Sequence, residues 1–148
     1  MTKINDTDLQ RGKEYEDFLS VQLAREGIIL GNMSSRKYQL KRENLLGMEI
    51  KFDDAMCRTK NLYIETHESD RKTGGIYRDD ENWLYAVGDY DELFIFGKKT
   101  LRRLEQSSPN WLKRPNKTIG NRGFLLPKMY ARQIAEKVMT FDRRTERQ

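Results

Sequence analysis

Apolar and polar residues along this 148-residue chain recur with the periods of both helices and strands. Near the N-terminus, an apolar stripe of helical period predicts a first helix; its members are Tyr15, Phe18, Leu19 and Leu23. Asp6 or Thr7 can cap this helix, and Gly27 ends it. A buried helix face therefore opens the chain.

Four later segments have the patterns of β-strands. Residues 48–53 and 62–67 alternate strictly between apolar and polar side chains. Residues 83–87 and 92–96 are more continuously apolar, which predicts a hairpin of central strands. The connection over residues 54–61 has a suitable length for a hairpin loop, so we also expect the first two strands to pair in antiparallel fashion.

The remaining predicted elements are a short strand near residues 38–40, a helix over 98–106, a basic loop over 107–123 and a last helix that opens at Pro127. The buried stripe of that last helix comprises Tyr130, Ile134, Ala135 and Val138. We interpret the chain as one domain over residues 1–148, an α/β sandwich in which residues 141–148 form a frayed tail.

The net charge of +5 hides an uneven distribution. Residues 98–148 carry 14 Lys or Arg against 4 Asp or Glu, whereas residues 1–97 carry 14 against 19. An acidic part that surrounds a cation and a basic part that meets a polyanion would produce this asymmetry, which favours nucleic acid as a partner. A chance distribution with a basic tail remains the alternative.

Composition limits the other classes of site. The chain has one cysteine, Cys57, and one histidine, His67, so it lacks the residues of an internal disulfide or a structural zinc site. Any metal would therefore be held by carboxylates. Apolar runs such as Leu93–Phe96 fall far short of the roughly 20 residues that cross a bilayer, and the first residues lack an apolar secretion segment. We expect a cytoplasmic protein without a membrane partner.

The predicted first hairpin brings chemically active side chains onto one face. An antiparallel register with an index sum of 114 or 116 places Glu49 opposite Glu65 or His67, and Lys51 opposite Tyr63 or Glu65. Adjacent carboxylates repel each other unless a cation such as Mg²⁺ or Mn²⁺ neutralises them. The neighbouring lysine can orient a water or stabilise a phosphoryl group, so the patch suits phosphodiester hydrolysis. Ordinary cross-strand salt bridges are the alternative.

Two stretches resemble a known family. The segment Arg11–Glu16 carries a glycine four residues before a glutamate, which looks like the G-x-x-x-E start of PD-(D/E)XK nucleases. The stretch Gly47–Asp53, followed by Asn61–Glu65, resembles a phage and bacterial branch of small nucleases. Over residues 9–105 the chain is thus similar to this superfamily, notably to proteins like the archaeal Holliday-junction resolvases.

This resemblance implies a restriction-endonuclease-like αβββαβ core with a mixed central sheet flanked by helices. It implies that Glu16, Glu49 and Glu65 bind Mg²⁺, for which Mn²⁺ can substitute. The family's motif lysine would stand two residues after Glu65, where this chain has His67. Either His67 takes the lysine's role or Lys51 supplies the ammonium, and we favour Lys51 because a neutral imidazole would not balance the carboxylates.

Other acids compete for two of these positions. Asp53 is a second candidate for the strand acid, although it lies near the loop end of the predicted hairpin. Glu14 competes with Glu16 on the first helix but points about 200° away from it.

Basic residues outside the hairpin are candidates for holding the flanking phosphates. They follow the second strand or lie in the basic loop, and they are Arg71, Lys72, Lys113, Arg114, Lys117 and Arg122. Residues 71–75 look flexible because two glycines end them. Trp111 either contacts a base or packs on the core.

The sequence therefore favours a metal-dependent DNA endonuclease that cuts duplex or branched DNA, as a homodimer where both strands are cut. We expect it in the cytoplasm of a bacterial host, with a phage gene as one source. The alternatives are a catalytically inactive DNA-binding or assembly protein on the same fold, and a structural protein whose acidic and basic parts pair between subunits.

Overall fold

The computed structural model describes residues 2–31, 43–68, 71–115 and 122–142. Helices and strands alternate along the chain as α1 (Thr2–Arg25), β1 (Met48–Phe52), α2 (Met56–Thr59), β2 (Asn61–His67), a 3₁₀ helix (Gly75–Tyr77), β3 (Leu84–Gly88), β4 (Glu92–Gly97), α3 (Lys98–Ser107), β5 (Arg122–Pro127), α4 (Lys128–Ile134) and β6 (Lys137–Thr140). The protein is thus mixed α/β, as the sequence predicts.

The strands form two sheets. A four-stranded mixed sheet has the order β1-β3-β4-β6, in which β1 and β3 are parallel and the other neighbours antiparallel. The second sheet pairs β2 with β5 in antiparallel fashion. The predicted β3–β4 hairpin is confirmed, whereas the predicted β1–β2 hairpin is wrong. Alternation fixes which side chains share a face, but it does not select the partner strand.

Apolar side chains cover both faces of the four-stranded sheet. On one face, α1 buries Tyr15, Leu19 and Leu23 completely or nearly so, which stabilises the fold by about 2 kcal/mol for each side chain. The predicted helix stripe is therefore confirmed, although α1 begins at Thr2. On the other face lie the β2–β5 sheet, α3 and α4, whose buried residues include Leu62, Ile64, Leu101, Phe124, Leu126 and Ala131.

The end of the chain departs most from prediction. The last part of the predicted basic loop is β5, α4 ends at Ile134, and Val138 belongs to β6 instead of to a helix. Phe141, assigned to a frayed tail, is 8% exposed, and its N–H donates to the Asp91 carbonyl at 2.8 Å. The strand expected near residues 38–40 and residues 143–148 fall outside the described ranges.

Helix length and composition also bear on membranes. In the part of the chain that the structure describes, no helix combines the length and apolar character that crossing a bilayer requires.

Candidate active site

β1 presents two charged side chains on the face opposite α1. Met48, Ile50 and Phe52 pack with the α1 core, so Glu49 and Lys51 point to the other side of the sheet. Glu49 is 1% exposed, and the Lys51 ammonium lies 3.3 Å from its Oε2. A buried carboxylate is thus fixed beside a lysine.

Glu65 reaches the same place from the other sheet. The backbone N–H of Glu65 donates to the hydroxyl of Tyr85 at 3.3 Å, and Tyr85 is the β3 neighbour of Glu49 in the ladder. Together these strands enclose a cavity of about 510 Å³, called here the carboxylate cavity; its lining residues are Glu49, Lys51, Glu65, Glu68, Gly74, Gly75 and Arg78. The predicted grouping of Glu49, Lys51 and Glu65 therefore exists, although sheet packing produces it instead of a hairpin.

Electrostatics around the carboxylate cavity reflect an excess of negative charge. Burial raises the pKa of Glu65, Glu49 raises it further, and Lys51 opposes both effects. Burial lowers the pKa of Lys51, but the surrounding carboxylates outweigh burial and raise it. The lysine consequently stays protonated, while the carboxylates favour additional positive charge.

Glu16 on α1 is half-buried near this group. Burial and then Asp17 raise the pKa of Glu16, whereas Lys13 and Lys51 lower it. The helix carboxylate is therefore within electrostatic reach of Lys51, although it does not line the cavity. Its competitor Glu14 is exposed and accepts a hydrogen bond from Gln10 at 3.2 Å.

Glu43 is a carboxylate that sequence reasoning missed. Burial, followed by repulsion from Glu49, raises its pKa to about 7, and Lys51 acts in the opposite direction. Its Oε2 accepts the N–H of Ile50 at 3.3 Å, and its Oε1 lies 3.8 Å from the guanidinium of Arg78. No periodic pattern marks Glu43, because it precedes β1 in an irregular turn.

Lys98 is the second missed residue. It is 2% exposed, and its ammonium donates to Glu49 Oε1 at 2.9 Å and to Asp80 Oδ1 at 3.4 Å. Arg78 contacts the other oxygen of Asp80 at 3.3 Å. A signal for Lys98 was present, since it continues the alternation of the buried Phe94 and Phe96 on β4.

The two glycines that end residues 71–75 pack against β2, whereas Arg71, Lys72 and Thr73 are exposed. Gly74 and Gly75 are buried, and the backbone N–H of Gly75 hydrogen-bonds the Glu65 side chain. Gly75 has φ +51°, and a Cβ there would lie 2.2 Å from the Glu65 carbonyl oxygen. Glycine is therefore required for the contact that orients Glu65.

His67 lies away from the carboxylate cavity. A bulge separates it from Glu65 in the β2–β5 ladder, and its Nδ1 lies 2.7 Å from the Thr66 hydroxyl. Burial lowers the pKa of His67, and Arg122 and Lys72 lower it further. The histidine thus belongs to a basic surface, whereas Lys51 lines the carboxylate cavity.

That basic surface is organised by a buried carboxylate, Glu105. Lys72 contacts its Oε1 at 2.8 Å, the Tyr77 hydroxyl donates to the same oxygen at 2.6 Å, and Arg114 pairs with Oε2. Burial by itself raises the pKa of Glu105, but these hydrogen bonds prevail and lower it to about 2. Lys72 and Arg114 are therefore held in place while about half of each side chain stays exposed.

The other residues predicted to bind DNA are dispersed over the structure. Arg71 and Lys113 are exposed and make backbone bridges to Glu68 and Leu125. Lys117 lies outside the described residues. Trp111 stacks on Tyr130 with a centroid distance of 4.2 Å, so it packs on the core.

Asp53 has a local structural role. Its Oδ1 accepts the N–H of Ala55 at 3.2 Å, and its Oδ2 accepts that of Tyr63 at 3.0 Å. Both oxygens thus join the end of β1 to α2 and β2, which makes Glu49 the acid of β1 that lines the cavity.

Within the described ranges, no three His, Cys, Asp or Glu side chains are arranged closely enough to hold a metal ion as they stand. The donor chemistry of the carboxylate cavity still fits a hard divalent cation, because carboxylate oxygens line it and the pKa of Glu65 is raised by burial and then by Glu49.

Comparisons with known proteins identify no relative: no family model, curated protein or solved structure matches the chain.

Proposed function

We propose that the chain is a metal-dependent DNA endonuclease with a restriction-endonuclease-like core of the PD-(D/E)XK type. The observation that carries this proposal is the convergence of Glu49, Lys51 and Glu65 on one cavity. Glu65 comes from a different sheet from Glu49 and Lys51, so its proximity to them is not the ordinary spacing of charges along one exposed strand.

Glu49 and Glu65, with Glu16 from α1, are the residues that would hold Mg²⁺ or Mn²⁺, and Glu43 offers a further carboxylate. When bound, such an ion lowers the pKa of a water and offsets charge on the phosphate. The partly buried carboxylates Glu43 and Glu65, with their raised pKa values, support this assignment, because such groups gain most from a divalent cation.

Lys51 stays protonated beside these carboxylates and donates to a phosphoryl oxygen as negative charge develops there. Arg78 lines the same cavity and can bind a second oxygen. In the hydrolysis, the oxygen of water bonds to phosphorus as the bond to one sugar oxygen breaks, and that oxygen takes up a proton.

The exposed cations beside Glu105 provide a path for the flanking phosphates. Lys72 and Arg114 are fixed by one carboxylate, and Arg122 lies near His67 on the same surface. Because their positions are set before DNA arrives, less side-chain entropy is lost on binding. The homodimer and the cytoplasmic location in a bacterial or phage context remain predictions.

Two contacts of Glu49 favour a second candidate, a DNA-binding or assembly protein that lacks catalysis. Lys51 and Lys98 already contact both oxygens of Glu49, at 3.3 and 2.9 Å. Two ammonium groups can thus neutralise Glu49 without a metal. This candidate predicts salt-sensitive DNA binding that does not lead to cleavage.

The test incubates supercoiled, linear and branched DNA with the protein in Mg²⁺, Mn²⁺ or EDTA. We expect cleavage with either metal and at least a roughly 100-fold loss in Lys51→Met and Glu65→Gln. The matched controls are His67→Ala and the exposed helix variant Glu14→Gln, which should retain most activity.

Three results distinguish the candidates. Cleavage that persists in Glu65→Gln would contradict the site. A greater loss in His67→Ala than in Lys51→Met would move the ammonium role to the histidine. Tight, salt-sensitive binding with no cleavage of any substrate would support the inactive DNA-binding protein.

A further inference from the structure

The two carboxylate oxygens of Glu49 lie in different surroundings. Its Oε1 accepts a hydrogen bond from the Lys98 ammonium at 2.9 Å, and Lys98 is buried. Its Oε2 is buried as well and lies 3.3 Å from the Lys51 ammonium, but it accepts no hydrogen bond from the described residues. A buried carboxylate oxygen without a hydrogen bond is costly, so Oε2 is the atom of Glu49 that gains most from a further ligand.

Lys98 is fixed at both ends. Its backbone N–H donates to the Trp83 carbonyl at 2.9 Å where α3 begins, and its ammonium also contacts Asp80 Oδ1 at 3.4 Å. Asp80 is itself held, since its Oδ1 accepts the N–H of Asn82 at 3.0 Å and its Oδ2 contacts Arg78 at 3.3 Å. The Lys98 ammonium therefore occupies a buried cation position between two carboxylates.

Lys51 is held much more loosely at the other oxygen. Its side chain is 37% exposed and lines the carboxylate cavity together with Glu49 and Glu65. A long, partly exposed lysine can turn its head group towards solvent or a ligand without a loss of core packing. One cation on Glu49 is therefore exchangeable, and the other is built into the fold.

We propose that Glu49 binds a single divalent cation, through Oε2 alone, and that Lys98 permanently occupies the place of a second one. This inference rests on the proposed function and specifies the metal content of its site. Two-metal hydrolases hold their ions about 3.5–4 Å apart, a spacing that a bridging carboxylate permits. An ammonium 2.9 Å from Oε1 repels a second ion there, so Glu49 does not act as a bridge. Lys51 leaves Oε2 when the ion binds, and its ammonium then turns to the phosphate.

Manganese permits a direct count, because free Mn²⁺ gives an electron paramagnetic resonance signal. The full chain is titrated with Mn²⁺ alone. We expect one bound ion per chain, without the spin coupling that two ions on a shared carboxylate show. Glu49→Gln should lower the affinity for Mn²⁺ at least roughly 10-fold, whereas Glu14→Gln, which removes an exposed carboxylate of α1, should leave it unchanged.

The two lysines should respond differently to substitution. Lys51→Met removes the cation that competes for Oε2, so the single Mn²⁺ should bind roughly 10-fold more tightly. Lys98→Ala opens the buried position between Glu49 and Asp80, so this variant should bind two Mn²⁺ ions. The matched control is Lys99→Met, at the exposed next position of α3, which should keep the wild-type count and affinity.

Thermal unfolding covers the case in which Lys98→Ala is too unstable to titrate. Because Mn²⁺ would bind the folded state in place of the lost ammonium, it should raise the unfolding temperature of Lys98→Ala more than that of the wild type. If the variant is unfolded without metal, Mn²⁺ should restore its circular dichroism.

Each outcome separates this inference from the proposed function. Two coupled ions on the wild type would overturn it even if DNA is cleaved, and so would a wild type that binds no Mn²⁺. A single ion that is lost in Glu49→Gln, without cleavage of any DNA, would support the single-ion site while the nuclease proposal fails. A folded Lys98→Ala that binds one ion, or an unfolded one that Mn²⁺ does not rescue, would refute the role of Lys98.

Discussion

Replacement of Glu43 by glutamine tests whether the carboxylates around the cavity are as closely packed as the structure shows. Burial and Glu49 raise the pKa of Glu43 from 4.5 to about 7, so the folded protein binds its proton more tightly than the unfolded chain does. Glu43 therefore contributes stability that is fully present below about pH 4.5. That contribution is lost as the pH rises through about 7.

The size of the effect follows from the shift. One pKa unit corresponds to about 1.4 kcal/mol, so the full shift would be worth about 3 kcal/mol. The Glu43 side chain is 24% exposed and Arg78 lies 3.8 Å away, so solvent and this ion pair reduce the effect to about 1–2 kcal/mol. Glutamine keeps the oxygen that accepts the Ile50 N–H.

The assay is urea unfolding at pH 5 and pH 8 in EDTA. Between these values, the wild type should lose about 1–2 kcal/mol more unfolding free energy than Glu43→Gln does. Glu14→Gln, which removes an exposed carboxylate of α1, should keep the wild-type pH dependence. If Glu43→Gln and the wild type show the same pH dependence, the reasoning about this cluster is refuted.

Two further substitutions probe the supports of the site. Lys98→Met removes the cation between two buried carboxylates and should lower the free energy of unfolding in urea by about 3–5 kcal/mol. Adding Glu49→Gln should recover part of that loss, and no recovery would contradict the pairing of Lys98 with Glu49. Gly75→Ala should destabilise the fold by about 1–3 kcal/mol, because its Cβ would meet a β2 carbonyl oxygen at 2.2 Å. The control Gly12→Ala, which has nothing within 4 Å, should leave thermal stability unchanged or raised, and equal effects at both glycines would refute the steric argument.

Sequence patterns identified the strands more reliably than their partners. The alternation from Met48 correctly placed Glu49 and Lys51 on one polar face, and the apolar runs correctly paired β3 with β4. The predicted partner of β1 was wrong, because a short connection between two strands favours a hairpin. In the structure the chain passes through α2 and β2 before β3 pairs with β1 in parallel. The burial of residues far apart in sequence decides which strands pair, and the local spacing of residues does not carry that information.

β5 was missed because its signal is short. Only Phe124, Leu125 and Leu126 are apolar between a basic segment and Pro127, which suggested a loop and a helix start. In the structure, Phe124 and Leu126 are buried against β2, as period-two alternation requires. Packing against a preformed sheet thus defines a strand that propensity alone does not reveal.

Strand alternation also explains why part of the candidate site was predicted from the sequence. Glu49, Lys51 and Glu65 meet because each lies on the polar face of its strand, and that face follows from alternation. Sequence reasoning missed Glu43 and Lys98 because tertiary packing brings each near Glu49. Glu43 lies in a turn, and Lys98 lies at the start of α3. The predicted register that placed His67 opposite Glu49 was wrong, because β1 pairs with β3 and β2 with β5, and a bulge separates His67 from Glu65.

The outer edge of β1 bears on self-association. The Asn44 side chain donates to the Met48 carbonyl at 2.7 Å and accepts the Met48 N–H at 3.0 Å, and Glu43 accepts the N–H of Ile50. Two side chains thus occupy backbone groups that a foreign strand would need for pairing. At these positions, near the buried acids, the edge of β1 is protected against strand addition and fibril-like stacking.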